Sequence, residues 1–271
     1  MNRGELWRGE VLALYPGDSY TGRRTVRVLH GKGDQCRIVA PDTGDPVSVL
    51  PRDTFQRTLF ACFLLFFAGS CLAPPFLQFL MMQHVPTVLG VLLLGYASNR
   101  FVISRLSFLL IILFLCLHTL GARYLYSYTP YDVWSEQLLG VNITESFGFR
   151  RNHFDRLVHF SYGLLLAVPV QEIERRYLRL SRIPASVLAV EFILATSAAY
   201  ELIEWFIAVM FTPDWAESFL GQQGDKFDAQ KDTALATMGA VLSVSISVMA
   251  EWLNADSSPD QKPAHGKFAG R

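Results

Sequence analysis

The segment LSFLLIILFLCLHTLGARYL, residues 106–125, decides the fold class of this chain. Its length matches the about 20 helical residues needed to cross a hydrocarbon core about 30 Å thick. Comparable apolar runs lie on either side of it, at about 58–81, 85–103, 154–173, 184–211 and 229–252. The sequence therefore predicts an all-α polytopic membrane domain with about six transmembrane helices over residues 56–254.

Two of these runs contain helix-breaking residues. Pro74 and Pro75 are expected to kink the first run. Segment 85–103 contains Pro86 and Arg100, so a re-entrant segment is the alternative to a full span there. In that case the N-terminal segment would lie on the opposite side of the membrane, and the four later helices would keep their orientation.

The composition separates this chain from several classes of soluble protein. The 271 residues are 51% hydrophobic and 18% charged, so the apolar residues must be concentrated in particular segments. The 24 Lys and Arg residues balance the 24 Asp and Glu residues, which argues against a nucleic-acid binder because such proteins carry a basic excess. The cysteines have no metal-type spacing, so neither a disulfide nor a cysteine metal site is expected at Cys36, Cys62, Cys71 and Cys116.

The N-terminal residues 1–55 have a different pattern, in which short β-type runs alternate with turn clusters rich in Gly, Pro and Asp. The runs are 10–15, 25–30, 35–40 and 46–50. This pattern predicts a small β-meander or barrel-like soluble module on the cytoplasmic side. The module either recruits a cytosolic protein partner or docks as a cap on the membrane domain. Residues 255–271 are predicted to form a disordered C-terminal tail.

Basic residues in the short connections orient the spans, because Lys and Arg are retained on the cytoplasmic side. With both termini inside, eleven Lys and Arg residues lie on the inner side and six on the outer side. The cluster Arg175, Arg176, Arg179 and Arg182 contributes most to this difference. The sequence therefore predicts a multi-pass membrane protein with both termini in the cytoplasm.

Titratable residues converge on the outer ends of four predicted helices. Asp155 and His159 are spaced i, i+4 at the start of the fourth helix, so they share a face. The other members lie on the third, fifth and sixth helices or just before the sixth: His118, Glu201, Glu204, Asp225, Asp228 and Asp232. Because a charged side chain at membrane depth costs roughly 2.5 kcal/mol or more on insertion scales, this concentration at one level indicates a function.

Carboxylate and imidazole groups bind Zn²⁺, Mn²⁺ or Mg²⁺ and also act as general acids and bases. The predicted ligands of a divalent metal ion are His118, His159, Glu201, Asp228 and Asp232. The predicted catalytic groups, of which His159 or Glu204 would be the general base, are His159, Glu204 and Asp155. Structural roles are the alternative for single residues, since Asp155, Asp228 and Asp232 complement a helix dipole in the first turns of their helices.

Four motifs follow one another in the predicted membrane domain: LHTLG (117–121), RNHFDRLVHF (151–160), ELIEW (201–205), and GQQGD (221–225) followed by Asp228 and Asp232. This ordered set resembles the bacterial inner-membrane family typified by YjdF, over residues 58–252, a family without an established activity. A looser resemblance to VanZ-like membrane proteins rests on residues 155–160 and 232–239. The chain has Ala236 where that pattern usually has Asn, which weakens a transfer of cell-envelope function.

The leading hypothesis is an outward-facing polar pocket in the bacterial inner membrane. It would bind or process an envelope lipid or a phosphate-bearing head group, with or without a divalent metal ion. Proton-coupled transport through the same ionisable groups is a second hypothesis. In a third, the cluster only joins the helices, and the protein is a non-catalytic membrane scaffold.

Overall fold

The computed structural model describes residues 50–51, 53–210 and 225–256, together with three short strands near the N-terminus. The chain divides into two compact units, Met1–Ser48 and Val49–Arg271. Most of the predicted soluble module lies outside the described residues, as does the predicted tail from residue 257 onward. The bounds of both therefore stay predictions.

In the N-terminal unit the strands pair as antiparallel neighbours in chain order. They are β1 (Arg8–Gly9), β2 (Val28–His30) and β3 (Cys36–Ile38). The strands β2 and β3 fall within the predicted runs 25–30 and 35–40. Residues 10–15 and 46–49 lie outside the described part of the chain, so the meander or barrel remains a prediction.

The second unit is helical. Its helices are α1 (Thr54–Ser70), α2 (Leu77–Arg100), α3 (Arg105–Arg123), α4 (Tyr131–Leu139), α5 (Ile143–Ser146), α6 (Phe154–Tyr177), α7 (Arg182–Met210) and α8 (Asp228–Asp256). Successive long helices run in opposite directions if each crosses the membrane. The last residues of α1, α3 and α7 then lie at the same end of the bundle as the first residues of α2, α6 and α8. We call this end the cluster end.

The prediction of one helix over 58–81 is wrong, because the run is two helices. The first ends at Ser70, and Ala73 has a positive φ of 45°. Ala73 also precedes Pro74, and a residue before proline is disfavoured in a helix. The Arg123 guanidinium donates to the Ser70, Leu72 and Ala73 carbonyl oxygens and so satisfies groups that the broken helix leaves open.

Among the described residues, four helices are long and apolar enough to cross a membrane, namely α2, α3, α7 and α8. The prediction of a polytopic helical membrane domain is confirmed at this level, and α2 is long enough for a full span. The helix α1 is apolar but has only 17 residues. The helix α6 has 24 residues, about 36 Å of helix, but both of its ends are polar.

The helix α6 lies at the centre of the helical unit and packs against α3, α7 and α8. Its approach to α8 is so close that a Cβ added at Gly163 would collide with the Ala236 carbonyl. A Cβ added at Gly239 would likewise collide with the Phe160 carbonyl. Small residues permit this backbone contact, and it fixes the depth at which the polar side chains of α6 and α8 face each other.

Candidate metal centre

Three side chains from α6 and α8 converge at the cluster end of the bundle. One ligand atom from each of Asp155, His159 and Asp232 lies within 4.8 Å of the other two. Ligands about 2.1 Å from a tetrahedral zinc ion are roughly 3.4 Å apart, so a modest closure of these side chains would form a metal site. Asp155 and His159 share one face of α6, as the i, i+4 spacing predicts.

Asp232 is the most deeply buried member of this trio. Its side chain is only 1% exposed, and its Oδ1 atom has no hydrogen-bond partner among the described residues. Burying a carboxylate without a partner is costly unless a cation or a proton offsets its charge. The position of Asp232 therefore indicates that something else balances this oxygen.

The helix α7 adds two more carboxylates beside the trio. The Nε2 atom of His159 lies 3.4 Å from Glu201 Oε1 and 3.8 Å from Asp155 Oδ1. Glu204, one turn after Glu201, is close enough for its charge to interact with those of Asp155, Glu201 and Asp232. The imidazole thus lies among carboxylates from three helices, Asp155, Glu201 and Asp232, and Glu204 lies close to those carboxylates. This arrangement is suited to a cation.

The remaining carboxylates at this end are neutralised by basic side chains. Asp228 forms an ion pair with Arg151 and lies 3.4 Å from Arg156. Asp225 lies 2.5 Å from Arg156 and 2.6 Å from Lys231. The hydrogen bond from Lys231 is the main reason that the pKa of Asp225 is far below its usual range, with further bonds from the Phe227 amide and Arg156. These two carboxylates hold the start of α8 against the start of α6.

His118 lies outside the trio and bonds through both ring nitrogens. Its Nδ1 atom is 3.0 Å from Thr87 Oγ1, and its Nε2 atom is 3.0 Å from the Tyr126 hydroxyl. Each nitrogen already has a partner within the protein, so His118 would have to break one bond to reach a metal ion. In this structure it connects α2, α3 and the loop after α3.

Of the five predicted metal ligands, the structure thus places His159 and Asp232 in the trio and Glu201 next to His159. It does not bring His118 or Asp228 into the trio. Asp155, predicted to be catalytic, is the third member of the trio, and Glu204, also predicted to be catalytic, lies one turn beyond Glu201. The ligand and catalytic roles of these residues remain predictions.

Sequence reasoning missed Tyr126 as a polar partner in this region. Leu125 and Tyr126 both have a positive φ, of 52° and 53°. This turn brings the Tyr126 ring against Gly121, where an added Cβ would collide with it. Two consecutive non-glycine residues in the left-handed region are uncommon, and no local sequence signal indicated them.

The model of a family described as "Predicted membrane protein (DUF2238)" matches residues 55–252, which include all the helices of the site. The chain belongs to the DUF2238 family.

The inner membrane protein YjdF of Escherichia coli (strain K12) is 35% identical to this DUF2238 member over 166 residues, which make up 60% of this chain and 75% of YjdF. No solved structure matches the chain. The predicted resemblance to the YjdF family is thus confirmed, and the chain is a multi-pass protein of the inner membrane.

Proposed function

We propose that this DUF2238 protein binds a divalent metal ion through Asp155, His159 and Asp232. The observation that carries the proposal is the buried Asp232 oxygen, which has no hydrogen-bond partner in the described part of the chain and lies close to the other two ligands. A bound cation would offset the cost of burying the Asp232 carboxylate. Glu201 Oε1 lies 3.4 Å from the Nε2 atom of His159, the same nitrogen that faces Asp155, so Glu201 would lie beside the ion as a further carboxylate.

The ligand set favours Zn²⁺ or Mn²⁺ over Mg²⁺, because one ligand is an imidazole and two are carboxylates. Three protein ligands leave a coordination position open, which is typical of catalytic rather than structural sites. A water molecule bound there would lose its proton more readily than bulk water. Glu204, which is not in the trio, would accept that proton as general base.

We further propose that the substrate is an envelope lipid or another molecule with a phosphate-bearing head group. The distribution of Lys and Arg predicts that the cluster end lies on the outer side of the inner membrane, at the level of lipid head groups. In a hydrolytic reaction, water oxygen would attack phosphorus and the P–O bond to the leaving group would break. The proton held by Glu204 would then pass to the leaving oxygen.

Metal content tests the proposal directly. We expect about one divalent ion per chain in the purified protein, as for a single three-ligand site, and loss of that ion in His159→Ala and in Asp232→Asn. Matched controls are His153→Gln, which removes an imidazole outside the trio, and Glu251→Gln, which removes a carboxylate near the opposite end of α8. The proposal fails if folded His159→Ala and Asp232→Asn retain the metal, or if the wild type binds none.

Proton-coupled transport is the second candidate, and Glu174 is the observation that favours it. Glu174 is 6% exposed near the opposite end of α6, and its Oε2 atom has no hydrogen-bond partner among the described residues. Buried ionisable residues at both ends of one central helix are typical of proton relays. This candidate predicts that Glu174→Gln abolishes proton uptake by proteoliposomes, whereas the metal site predicts unchanged metal content in that variant.

A further inference from the structure

The connection between α3 and α6 exposes more apolar surface than its own packing requires. The short helices α4 and α5 form a hairpin, and its tip carries Leu138, Leu139 and Phe147, which are 82%, 76% and 72% exposed. Val141, between the two helices, is also exposed. These four exposed apolar side chains lie within ten residues of sequence, and such a concentration is typical of an interaction site.

The hairpin is held by polar bonds that do not involve these tip residues. Both carboxylate oxygens of Asp132 accept bonds from Thr144, one from its amide at 2.9 Å and one from its hydroxyl at 2.6 Å. Gly140 and Gly148 supply positive φ angles of 69° and 64° at the turns that follow α4 and α5. The side chains of Leu138, Leu139 and Val141 take no part in these bonds. Phe147 stacks on Phe149 with ring centroids 5.5 Å apart while remaining largely exposed.

The base of the hairpin is fastened to the start of α6, next to the candidate site. Tyr131 contacts Thr144 through its hydroxyl, at 3.0 Å, and the same hydroxyl accepts a bond from the His153 amide. Because α3 ends and α6 begins at the cluster end, both ends of the connection lie at one membrane surface. The helix α4 has nine residues, about 14 Å of helix, and is too short to cross the bilayer.

We propose that this hairpin tip, consisting of Leu138, Leu139, Val141 and Phe147, inserts into the lipid leaflet at the cluster end. Residues 137–144 carry no charge, and Glu145 is the single charged residue between Leu138 and Phe147, so the tip offers little for an ionic contact with a protein partner. The exposed apolar surface of the spans continues at this end of the bundle, where Leu77 and Met81 are both largely exposed. A tip at this level is in continuity with the lipid-facing surface of the helices.

Aromatic side chains beside the hairpin agree with a location at the lipid–water boundary. The rings of Tyr124 and Trp134 lie 5.8 Å apart at its base, and Tyr128 is exposed. Tyrosine and tryptophan are enriched where the hydrocarbon meets the head groups. The hairpin thus brings the proposed metal site to head-group depth, although the insertion itself does not depend on that site.

The test measures the depth of single positions in reconstituted protein. An environment-sensitive fluorescent amino acid is introduced at Leu138 or Phe147 and, as the matched control, at the exposed Glu145, in vesicles of phosphatidylethanolamine and phosphatidylglycerol. Nitroxide lipids are expected to quench the probe at Leu138 and Phe147, placing it about 5–10 Å into the boundary. Aqueous iodide is expected to quench the probe at Glu145.

Two results would overturn the proposal. In one, iodide quenches the probe at Leu138 and Phe147 as strongly as at Glu145, which would show that the tip lies in water. In the other, the tip is shielded from both quenchers to an extent that rises with the protein-to-lipid ratio, which would show that a second copy of the chain covers it. Metal content is measured on the same samples. The depth of the tip and the presence of the metal ion are thus tested independently.

Discussion

At the scale of single residues, the site depends on which carboxylates have a basic partner. Asp228 is paired with Arg151 and Arg156. Asp232, one helical turn later, has a buried oxygen without a hydrogen-bond partner in the described residues. One turn of α8 thus separates a carboxylate that joins two helices from a carboxylate that is available to bind a metal ion.

Chelation should destabilise the wild type and leave Asp232→Asn unaffected. A ligand present at about 100 times its Kd stabilises a protein by about 2.7 kcal/mol, which corresponds to about 5–10 °C in Tm for a chain of this size. Thermal unfolding in detergent, with and without EDTA, measures this difference. An equal loss of Tm in both proteins would show that the chelator acts elsewhere.

His118→Ala should lower stability without changing metal content. The substitution removes two hydrogen bonds and leaves Thr87, which is fully buried, and Tyr126 without their partner. The expected loss is about 2–6 kcal/mol, since each of the two abandoned buried groups costs about 1–3 kcal/mol. Tyr126→Phe, which removes one of the two bonds, should lose less. Loss of the metal ion in His118→Ala would instead show that His118 is a metal ligand, as the sequence predicts.

Glu191 should be replaceable by leucine with a gain in stability. Glu191 is exposed near the middle of α7, on the side away from the buried Ala189 and Ile193, and no described residue pairs with it. A charge on the lipid-facing side of a span costs roughly 2.5 kcal/mol on insertion scales, so Glu191→Leu should gain about that amount. The comparison is Glu251→Leu, which loses ion pairs to Arg175 and Arg182. A loss of stability in Glu191→Leu would reveal a partner for this carboxylate.

At the scale of the helices, the contact between α6 and α8 tolerates no added volume. Gly163→Ala would place a methyl group inside the Ala236 carbonyl, whereas Gly69→Ala would meet nothing within 4 Å. We expect a loss of about 3 kcal/mol or more at Gly163, at the upper end of overpacking effects. Gly69→Ala should be neutral or stabilising, because alanine is the better helix former. Unfolding of both variants by denaturant in mixed micelles measures the difference.

The length of the apolar runs alone predicts most of the long helices. The predicted spans 106–125, 184–211 and 229–252 agree closely with α3, α7 and α8. The first run fails because hydrophobicity continues across Pro74-Pro75 while the helical backbone does not. The short helices α4 and α5 have no comparable signal, since caps and polar bonds rather than apolar runs define them.

The site is predictable within each helix but not between helices. The i, i+4 spacing of Asp155 and His159 is enough to place both side chains on one face of α6. Whether Asp228 or Asp232 meets that face depends on the rotation of α8 against α6, which the contact at Gly163 and Gly239 determines. The ion pair between Arg151 and Asp228 also depends on how the helices pack, and no short sequence pattern predicts it.

At the scale of the whole molecule, the number of crossings decides where the N-terminal unit lies. If α1 crosses the membrane despite its 17 residues, both termini share one side, as the distribution of Lys and Arg predicts. Tags at Met1 and Arg271 should then both be protected in intact spheroplasts, while a cysteine placed at the exposed Glu145 reacts with an impermeant maleimide. If the Met1 tag is accessible and the Arg271 tag is protected, α1 does not cross the membrane.

The glycine contact between α6 and α8 also limits what can move through the middle of the protein. Two backbones in contact leave no space for a chain of water molecules between them. Water therefore does not connect the two ends of the bundle along this helix–helix contact. In this conformation, an ion or proton taken up at one end of the bundle cannot pass between α6 and α8 to the other end. Passage there would require the helices to separate, and cross-linking them near the glycines would stop transport but spare a reaction confined to one surface.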